Sequence, residues 1–308
     1  MIFSNTSSYM LKYQKAKAKL VEYDIPNEAY PKFPLNSNEL SYPVVYILSR
    51  YAESVIENNA VDREEFSPYL GVASQYFDAA VGAKDRTAYD IDFLLSGAAA
   101  YFLSDNFGSA KVLCSEYFER NDPDTTAPQK IMGNFLGYLL LNRELHINND
   151  TPTGEKLCRS LLAYYTNGKK PEEIQNILLE YRKEIYAHDT PMEIYYVDIL
   201  YAVVVVALSR SAWSLLPMYS GLDQSLWSDY LKSPNAPRML WPAQQLIGEK
   251  EILSGQSAIV QLPTGVGKTK SIELIIRSSF ASNRATTAII VAPLRALCNK
   301  SDRSHVVL

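Results

Sequence analysis

The sequence feature that most constrains the fold is a glycine-rich loop, Val260-Gln-Leu-Pro-Thr-Gly-Val-Gly-Lys-Thr-Lys270. The apolar residues 257–262 have the length and composition of a buried strand. Apolar residues then recur on one side of a predicted helix (Ile272, Ile275, Ile276 and Phe280). The N-terminus of a helix presents unpaired N–H groups and a partial positive charge, so a loop between a strand and a helix suits a bound phosphate.

Several residues of this loop have a physical role in the predicted phosphate site. Gly265 and Gly267 allow backbone angles that side chains forbid, and they let main-chain N–H groups approach phosphate oxygens. Lys268 is positioned to reach the β- and γ-phosphates, and the Thr269 hydroxyl to hold Mg²⁺, which makes these two the candidate catalytic residues. The predicted nucleotide-binding residues of the loop are Pro263, Thr264, Gly265, Val266, Gly267, Lys268, Thr269 and Lys270.

The loop departs from the general pattern G-x-x-x-x-G-K-[ST] at one position, because Leu262 stands where the first glycine would be. The alternative is an ordinary glycine-containing turn with an incidental lysine. Loop, lysine, hydroxyl, strand and helix all agree with the phosphate site, and together they disfavour that alternative.

Charge is distributed unevenly along the 308 residues. Residues 232–308 carry 10 Lys/Arg and 4 Asp/Glu, which leaves 20 Lys/Arg and 30 Asp/Glu in the residues before them. Any polyanion would therefore be bound by the basic C-terminal part, although ordinary surface variation explains the asymmetry equally well. Three widely spaced cysteines (Cys114, Cys158 and Cys298) form neither a metal pair nor a disulfide framework. We therefore expect the protein to be located in a reducing cytoplasm.

The sequence gives no indication of a membrane protein. The N-terminus lacks the basic stretch and apolar core of a secretory signal. The most apolar run, residues 199–208, is too short to span a bilayer and lies between Asp198 and Arg210. We expect this run to be a buried core helix.

The sequence pattern of residues 1–232 predicts a mainly α-helical accessory domain. Helices are indicated at residues 9–23, 42–56 and 129–141, and residues 93–118 predict a helical hairpin that breaks at 105–108. A further helix begins at Pro171, with a predicted buried face made of Ile174, Ile177, Leu178, Tyr181 and Ile185. No catalytic or metal-ligating cluster is apparent in this part of the sequence.

The pattern changes after a proline-rich linker at residues 233–240. A helix is predicted at 241–253, strands at 257–262 and 286–292, and a helix at 269–280 between the two strands. This βαβ order predicts that residues 241–308 form the start of an α/β domain with a parallel sheet. A ligand site is expected at the carboxyl ends of its strands.

Three motifs in this region resemble those of superfamily 2 nucleic-acid helicases of the DEAD/DEAH-box type. Leu262-Pro-Thr-Gly-Val-Gly-Lys-Thr269 is similar to motif I of that family, and Pro242-Ala-Gln244 to its glutamine motif. Val291-Ala-Pro-Leu-Arg-Ala-Leu297 is similar to motif Ia, most closely in its DExH branch. The resemblance covers residues 238–300 and implies a RecA-like P-loop domain.

The resemblance also implies cofactors, partners and further site residues. ATP and Mg²⁺ would be bound by the loop, with Gln244 reading the adenine edge, since an amide both donates and accepts hydrogen bonds. Pro293, Leu294 and Arg295 would contact the backbone of DNA or RNA without reading its sequence. A helix-surface Gln244 and a solvated Arg295 are the alternatives, and Trp241 is expected to pack in the core or linker rather than stack on a base.

The resemblance leaves parts of the expected motor unaccounted for. The family uses an Asp-Glu pair on a later strand and arginines from a second RecA-like domain, and neither occurs within the 308 residues. We therefore expect the chain to be the N-terminal part of a longer helicase, truncated before motif II and inactive as an ATPase by itself. A large helical domain before such a motor resembles the helicase subunits of bacterial anti-phage systems.

Two other functions remain open at this point. The first is a different P-loop ATPase whose motor works on protein, which the Ala292-Pro-Leu-Arg295 segment disfavours. The second is a non-enzymatic module in which the acidic helical domain binds a protein partner.

Overall fold

The computed structural model describes residues 19, 23, 41–82, 90–120, 125–147, 150–168, 171–188, 190–262 and 267–289. The helix predicted at residues 9–23 lies almost entirely outside them. Twelve α-helices form within the described residues. They are α1 (Ser41–Ile56), α2 (Ala60–Gly82), α3 (Asp90–Leu103), α4 (Phe107–Arg120), α5 (Ala127–Leu141), α6 (Pro152–Asn167), α7 (Pro171–His188), α8 (Pro191–Ser209), α9 (Ala212–Ser220), α10 (Gln224–Leu231), α11 (Pro242–Glu249) and α12 (Lys268–Ala281).

Local capping residues determine where several of these helices begin and end. At the start of α8, the Thr190 backbone N–H donates to the Glu193 carboxylate over 3.0 Å, and the Glu193 N–H donates to the Thr190 hydroxyl over 3.4 Å. The Gly154 N–H donates to the Thr151 hydroxyl in the first turn of α6. Helix α6 ends at Gly168, whose φ of 67° lies in the left-handed region.

Helix α8 is the centre of the helical bundle. It packs against α1, α5, α7 and α3, which cover most of its length. This confirms the prediction of a buried core helix for residues 199–208. By length and composition α8 is the one helix in the described ranges that could cross a membrane, and most of its apolar side chains are buried by protein.

The other predicted helices of this region are also confirmed. The break in the predicted hairpin lies at residues 104–106, where Asp105 has a φ of 67°, and α3 and α4 pack against each other on either side of it. The predicted buried face of α7 is confirmed residue by residue, because Ile174, Ile177, Leu178, Tyr181 and Ile185 are all buried.

The predicted linker is packed against the helical bundle. Met239 pairs with Ser211 in an isolated antiparallel bridge, and the Leu240 N–H donates to the Arg210 carbonyl over 2.8 Å. Met239 and Leu240 are buried in the same core cluster as Leu274 of α12. The division into two domains therefore stays a prediction, and in the structure the packing is continuous across the linker.

The predicted strands are corrected by the structure. Residues 257–262 form no strand, and neither do residues 286–289, the described part of the second predicted strand. A strand requires the hydrogen-bond ladder of a neighbouring strand, and the described residues supply none here. Ile259 is fully exposed and Ile289 is 87% exposed, so these apolar segments lack the packing partners that a parallel sheet provides.

Candidate nucleotide-binding site

The N-terminus of α12 carries the described part of the predicted phosphate loop. Gly267 is the N-cap residue, with a φ of 88° and a ψ of 30° in the left-handed region that glycine tolerates. Lys268 and Thr269 follow in the first turn, and both side chains are exposed. The first turn carries no acidic residue, so no carboxylate of its own competes for its N–H groups and partial positive charge.

Gln244 of α11 lies against this turn. Its side chain is buried, with 4% exposed, and its Oε1 accepts a hydrogen bond from the Trp241 N–H over 2.8 Å. A Cβ atom added to Gly267 would lie 2.7 Å from the Gln244 Nε2, so the amide and the loop approach each other closely. Two residues that the sequence separates by more than twenty positions are thus brought together.

The position of Gln244 excludes one of the alternatives from the sequence. A helix-surface glutamine would be exposed, whereas this amide is buried between the start of α11 and the start of α12. Its role in reading adenine stays a prediction. Trp241 packs on the helical bundle as expected, since its ring centroid lies 5.7 Å from that of Phe107 in α4.

The Lys270 side chain is directed away from the exposed face on which Lys268 and Thr269 lie. Its Nζ donates to the Asn235 carbonyl over 2.8 Å and to the Glu273 Oε2 over 2.6 Å. Its ammonium group is therefore held against the chain that enters the site. The predicted part of Lys270 in nucleotide binding stays a prediction.

Glu273 is the centre of a small charged cluster on α12. Besides Lys270, it accepts a hydrogen bond from the Arg277 Nε over 3.1 Å. The Arg277 guanidinium lies over the Tyr230 ring of α10, 4.1 Å from its centroid. This cluster joins the first two turns of the loop-bearing helix to the last helix of the bundle.

The environment of Glu273 keeps it ionised. Partial burial raises the pKa of its carboxyl, but the hydrogen bond and charge of Lys270 and the hydrogen bonds from Arg277 and Tyr230 lower it by more, so the net shift is downward. Burial and the nearby Glu273 carboxylate raise the pKa of the Tyr230 phenol, which therefore stays protonated. The Tyr230 hydroxyl is buried beside the Glu273 carboxylate.

The C-terminal half of α12 is fixed separately. The Ser278 hydroxyl donates to the Leu253 carbonyl, and the Arg284 guanidinium donates to the same carbonyl over 2.6 Å. Leu253 precedes the residues 257–262 that lead into the loop. The two ends of α12 are thus attached to different parts of the molecule.

Some predicted site residues cannot be located. Pro263, Thr264, Gly265, Val266, Pro293, Leu294 and Arg295 lie outside the described residues. Their predicted contacts with phosphate and nucleic acid stay predictions. Within the described ranges no group of three or more His, Cys, Asp or Glu side chains is arranged to hold a metal ion, and the predicted Mg²⁺ ligand Thr269 has its side chain exposed.

The sequence reasoning missed the role of Glu273. Its positions relative to Lys270 (i, i+3) and Arg277 (i, i+4) are a recognisable signal for ion pairs on a helix. The contributions of Tyr230 and Asn235 had no such signal, because they come from chain that is distant in sequence.

A surface depression of about 490 Å³ lies elsewhere, between α6 and α7. Glu155, Lys156, Arg159 and Glu173 line it, so it carries charges of both signs. None of its lining residues belongs to the predicted phosphate site, and the geometry around Gly267 is the better candidate for a nucleotide.

Comparison with known proteins agrees with this location. The family model of the DEAD/DEAH box helicase matches residues 242–303, which include α11, the loop and α12. A search of the curated proteins found no matching relative. Residues 242–303 are therefore similar to a DEAD/DEAH box helicase, and the match does not extend to the helical bundle.

Proposed function

We propose that this chain supplies the first ATP-binding elements of an ATP-dependent nucleic-acid helicase or translocase, with residues 241–308 beginning a RecA-like domain. One observation carries the proposal. Inside the segment that matches the helicase family, the buried Gln244 amide lies against Gly267 at the start of α12. An adenine reader and a phosphate-binding turn would need this proximity if they are to hold one nucleotide.

The residues present fit Mg·ATP. The exposed Lys268 ammonium would neutralise charge on the β- and γ-phosphates, while the N–H groups of the first turn of α12 donate to phosphate oxygens. The exposed Thr269 hydroxyl would hold Mg²⁺, which supplies further neutralisation of phosphate charge when bound. The Gln244 Nε2 is available to adenine, and its Oε1 retains a second lone pair beyond the bond from Trp241.

The nucleic-acid side of the proposal depends on Arg295 and the excess of basic residues after residue 232. An arginine that pairs with phosphates contributes to binding without reading the base sequence. DNA and RNA are both compatible with such contacts. The residues of motif Ia support placing the parent helicase in the DExH branch. The helical domain before the motor supports placing it in an anti-phage system. Both placements are part of the proposal.

Lys268→Ala tests the nucleotide site. We expect the variant to lose about tenfold or more in affinity for Mg·ATP, because charge-assisted hydrogen bonds contribute about 1.5–3 kcal/mol. Its thermal midpoint should not change, since the side chain is exposed. Fluorescence titration with a labelled ATP measures the affinity.

The matched control is Lys250→Ala, which removes an exposed lysine just beyond the end of α11. It should bind Mg·ATP like the wild type. Equal affinities for the wild type and Lys268→Ala would overturn the assignment of the loop. The same substitution in the product of the whole reading frame should abolish nucleic-acid-stimulated ATP hydrolysis.

Sequencing the locus past codon 308 tests the remaining parts of the motor. A strand that ends in Asp-Glu-x-His would support the DExH branch, and Asp-Glu-Ala-Asp would support the other branch of the family. An immediate stop codon would contradict the helicase reading and favour the partner-binding helical module. An ATPase that acts on protein would lack both sequences.

A further inference from the structure

We infer that the Glu273 cluster clamps the phosphate-loop helix to the helical bundle, so that Lys270 is a positioning residue and the bundle sets the geometry of the nucleotide site. The inference rests on the proposed function for its nucleotide part. We name the cluster of Lys270, Glu273, Arg277, Tyr230 and Asn235 the α12 clamp.

The first support is the direction of the contacts. Lys270 lies in the first turn of α12 and Arg277 two turns later, and both side chains bond to Glu273 between them. Each then makes a second contact outside the helix, Lys270 with the Asn235 carbonyl and Arg277 with the Tyr230 ring. The clamp therefore connects two points on α12 with two points on the chain that precedes α11.

The second support is the degree of burial. The Glu273 side chain is 16% exposed, and those of Lys270 and Arg277 are 29% and 24% exposed. Ion pairs with this degree of burial are screened less by solvent than the pairs on the outer surface of the bundle. Loss of one partner would leave an uncompensated charge in a partly desolvated place.

The third support is the position of the clamp relative to the loop. Lys270 lies in the first turn of α12, two residues after Lys268. The opposite end of α12 is attached through Ser278 and Arg284 to the Leu253 carbonyl, which belongs to the segment that leads into the loop. Loss of the Lys270–Glu273 pair would thus free the N-terminal turn, where Gly267, Lys268 and Thr269 lie, while Arg277 and Ser278 still hold the C-terminal half.

The chemistry of Lys270 favours a positioning role over direct binding of phosphate. An ammonium group has three donors, and two of them are used by the Asn235 carbonyl and Glu273. A lysine that bound phosphate directly would have to leave both partners. The structure assigns the phosphate contact to Lys268, whose exposed side chain has no such constraint.

The test compares Glu273→Gln with Glu155→Gln in the whole chain. Glu155 forms an i, i+4 pair with Arg159 on α6 and does not contact α12, so it is a matched control for the loss of a helix ion pair. Hydrogen–deuterium exchange of the amides of α12 reports the clamp. Titration with labelled Mg·ATP reports the nucleotide site.

We expect Glu273→Gln to speed up exchange of the hydrogen-bonded amides from Ser271 through the second turn of α12 by about fivefold or more and to weaken Mg·ATP binding to a similar extent. Lys270→Met should do the same, because it removes the same contacts from the other side. Glu155→Gln should leave both measurements unchanged. Tyr230→Phe keeps the ring under Arg277 but removes the hydroxyl beside Glu273, so its exchange should fall between those of the wild type and Glu273→Gln.

Two results would overturn the clamp. In the first, Glu273→Gln exchanges like the wild type. In the second, Lys270→Met weakens nucleotide binding while α12 keeps its protection, which would make Lys270 a direct phosphate ligand. If the wild type itself binds no Mg·ATP, the proposed function fails, and exchange in Glu273→Gln alone then decides the clamp, with faster exchange supporting it and unchanged exchange overturning it.

Discussion

Apolar side chains in the helical bundle and in the segment around the phosphate loop have opposite surroundings. In α8, residues such as Leu200 and Val204 are completely buried, whereas Ile259 is fully exposed and Val260 is 43% exposed. The difference follows from how each structure is stabilised. A helix satisfies its backbone within one stretch of chain, while a parallel strand needs neighbours on both edges and cover on both faces.

The comparison shows that the two regions depend on each other unequally. Between residues 41 and 231 the described helices bury one another, and α8 contacts four of them. The segment after residue 240 instead depends on the bundle, through Trp241 on Phe107 and through the α12 clamp. The bundle therefore supports the segment that carries the candidate nucleotide site.

The largest expected effect contrasts Leu200→Ala with Ile259→Ala. Leu200 is fully buried in α8, so truncation should lower the free energy of unfolding by about 2–5 kcal/mol. Ile259 is fully exposed, and its truncation should change that free energy by less than about 0.5 kcal/mol. Chemical denaturation followed by circular dichroism measures both. A large loss in Ile259→Ala would break the comparison, because it would mean that residues 257–262 are packed in solution.

The sequence was sufficient to find the helices of the bundle because their signals are local, but it did not predict the buried face of α12, where Ile272 is 48% exposed. The stripe from Ile174 to Ile185 predicted which face of α7 would be buried, and each of its residues is buried in the structure. The predicted strands at 257–262 and 286–289 were wrong for the described residues, because strand pairing depends on partners that local periodicity does not reveal.

For the candidate site, too, the local features were predictable from the sequence and the long-range contacts were not. Glycine, lysine and threonine around residue 267 indicated a phosphate-binding turn, and the structure has the glycine in the required left-handed conformation. The contact of Gln244 with Gly267 and that of Tyr230 with Arg277 join residues far apart in sequence. Such contacts depend on how the bundle orients α11 and α12, which no spacing of residues expresses.

A smaller effect is expected from the same substitution at two glycines. Gly267→Ala should destabilise the chain by about 1–2 kcal/mol, because φ at this position is 88° and the new Cβ would lie 2.7 Å from the Gln244 Nε2. It should also weaken Mg·ATP binding. Gly108→Ala, in the first turn of α4, meets no atom within 4 Å and should stabilise by about 0.5 kcal/mol.

Thermal unfolding and nucleotide titration of the two variants provide the measurement. Changes of opposite sign in the free energy of unfolding of the two variants would sharpen the distinction between a structural turn in the bundle and a functional turn at the loop. Equal and small changes would contradict the tight approach of Gln244 to Gly267.

The smallest expected effect is the pH dependence of the α12 clamp. The pKa of the Glu273 carboxyl is lowered in the folded chain from its usual value of 4.5, and the groups facing it are Lys270 and Arg277 on α12 and Tyr230 on α10. A carboxyl with a lowered pKa contributes stability above its unfolded pKa and loses it as pH falls through the folded pKa. The clamp should therefore be intact from pH 7 to about 5 and weaken progressively below about 4.5.

Exchange in α12, measured for the wild type and Glu273→Gln across this range, isolates the contribution of the carboxyl. The difference between the two proteins should be constant between pH 7 and about 5, once the intrinsic pH dependence of amide exchange is removed, and should shrink as pH falls further. On the alkaline side the raised pKa of the Tyr230 phenol keeps it protonated beyond its usual value of 10.0, so no second loss is expected near neutrality. A difference that vanishes already between pH 7 and 6 would require a titrating group other than Glu273. That outcome would remove the electrostatic basis for the dependence of the loop-bearing helix on the bundle.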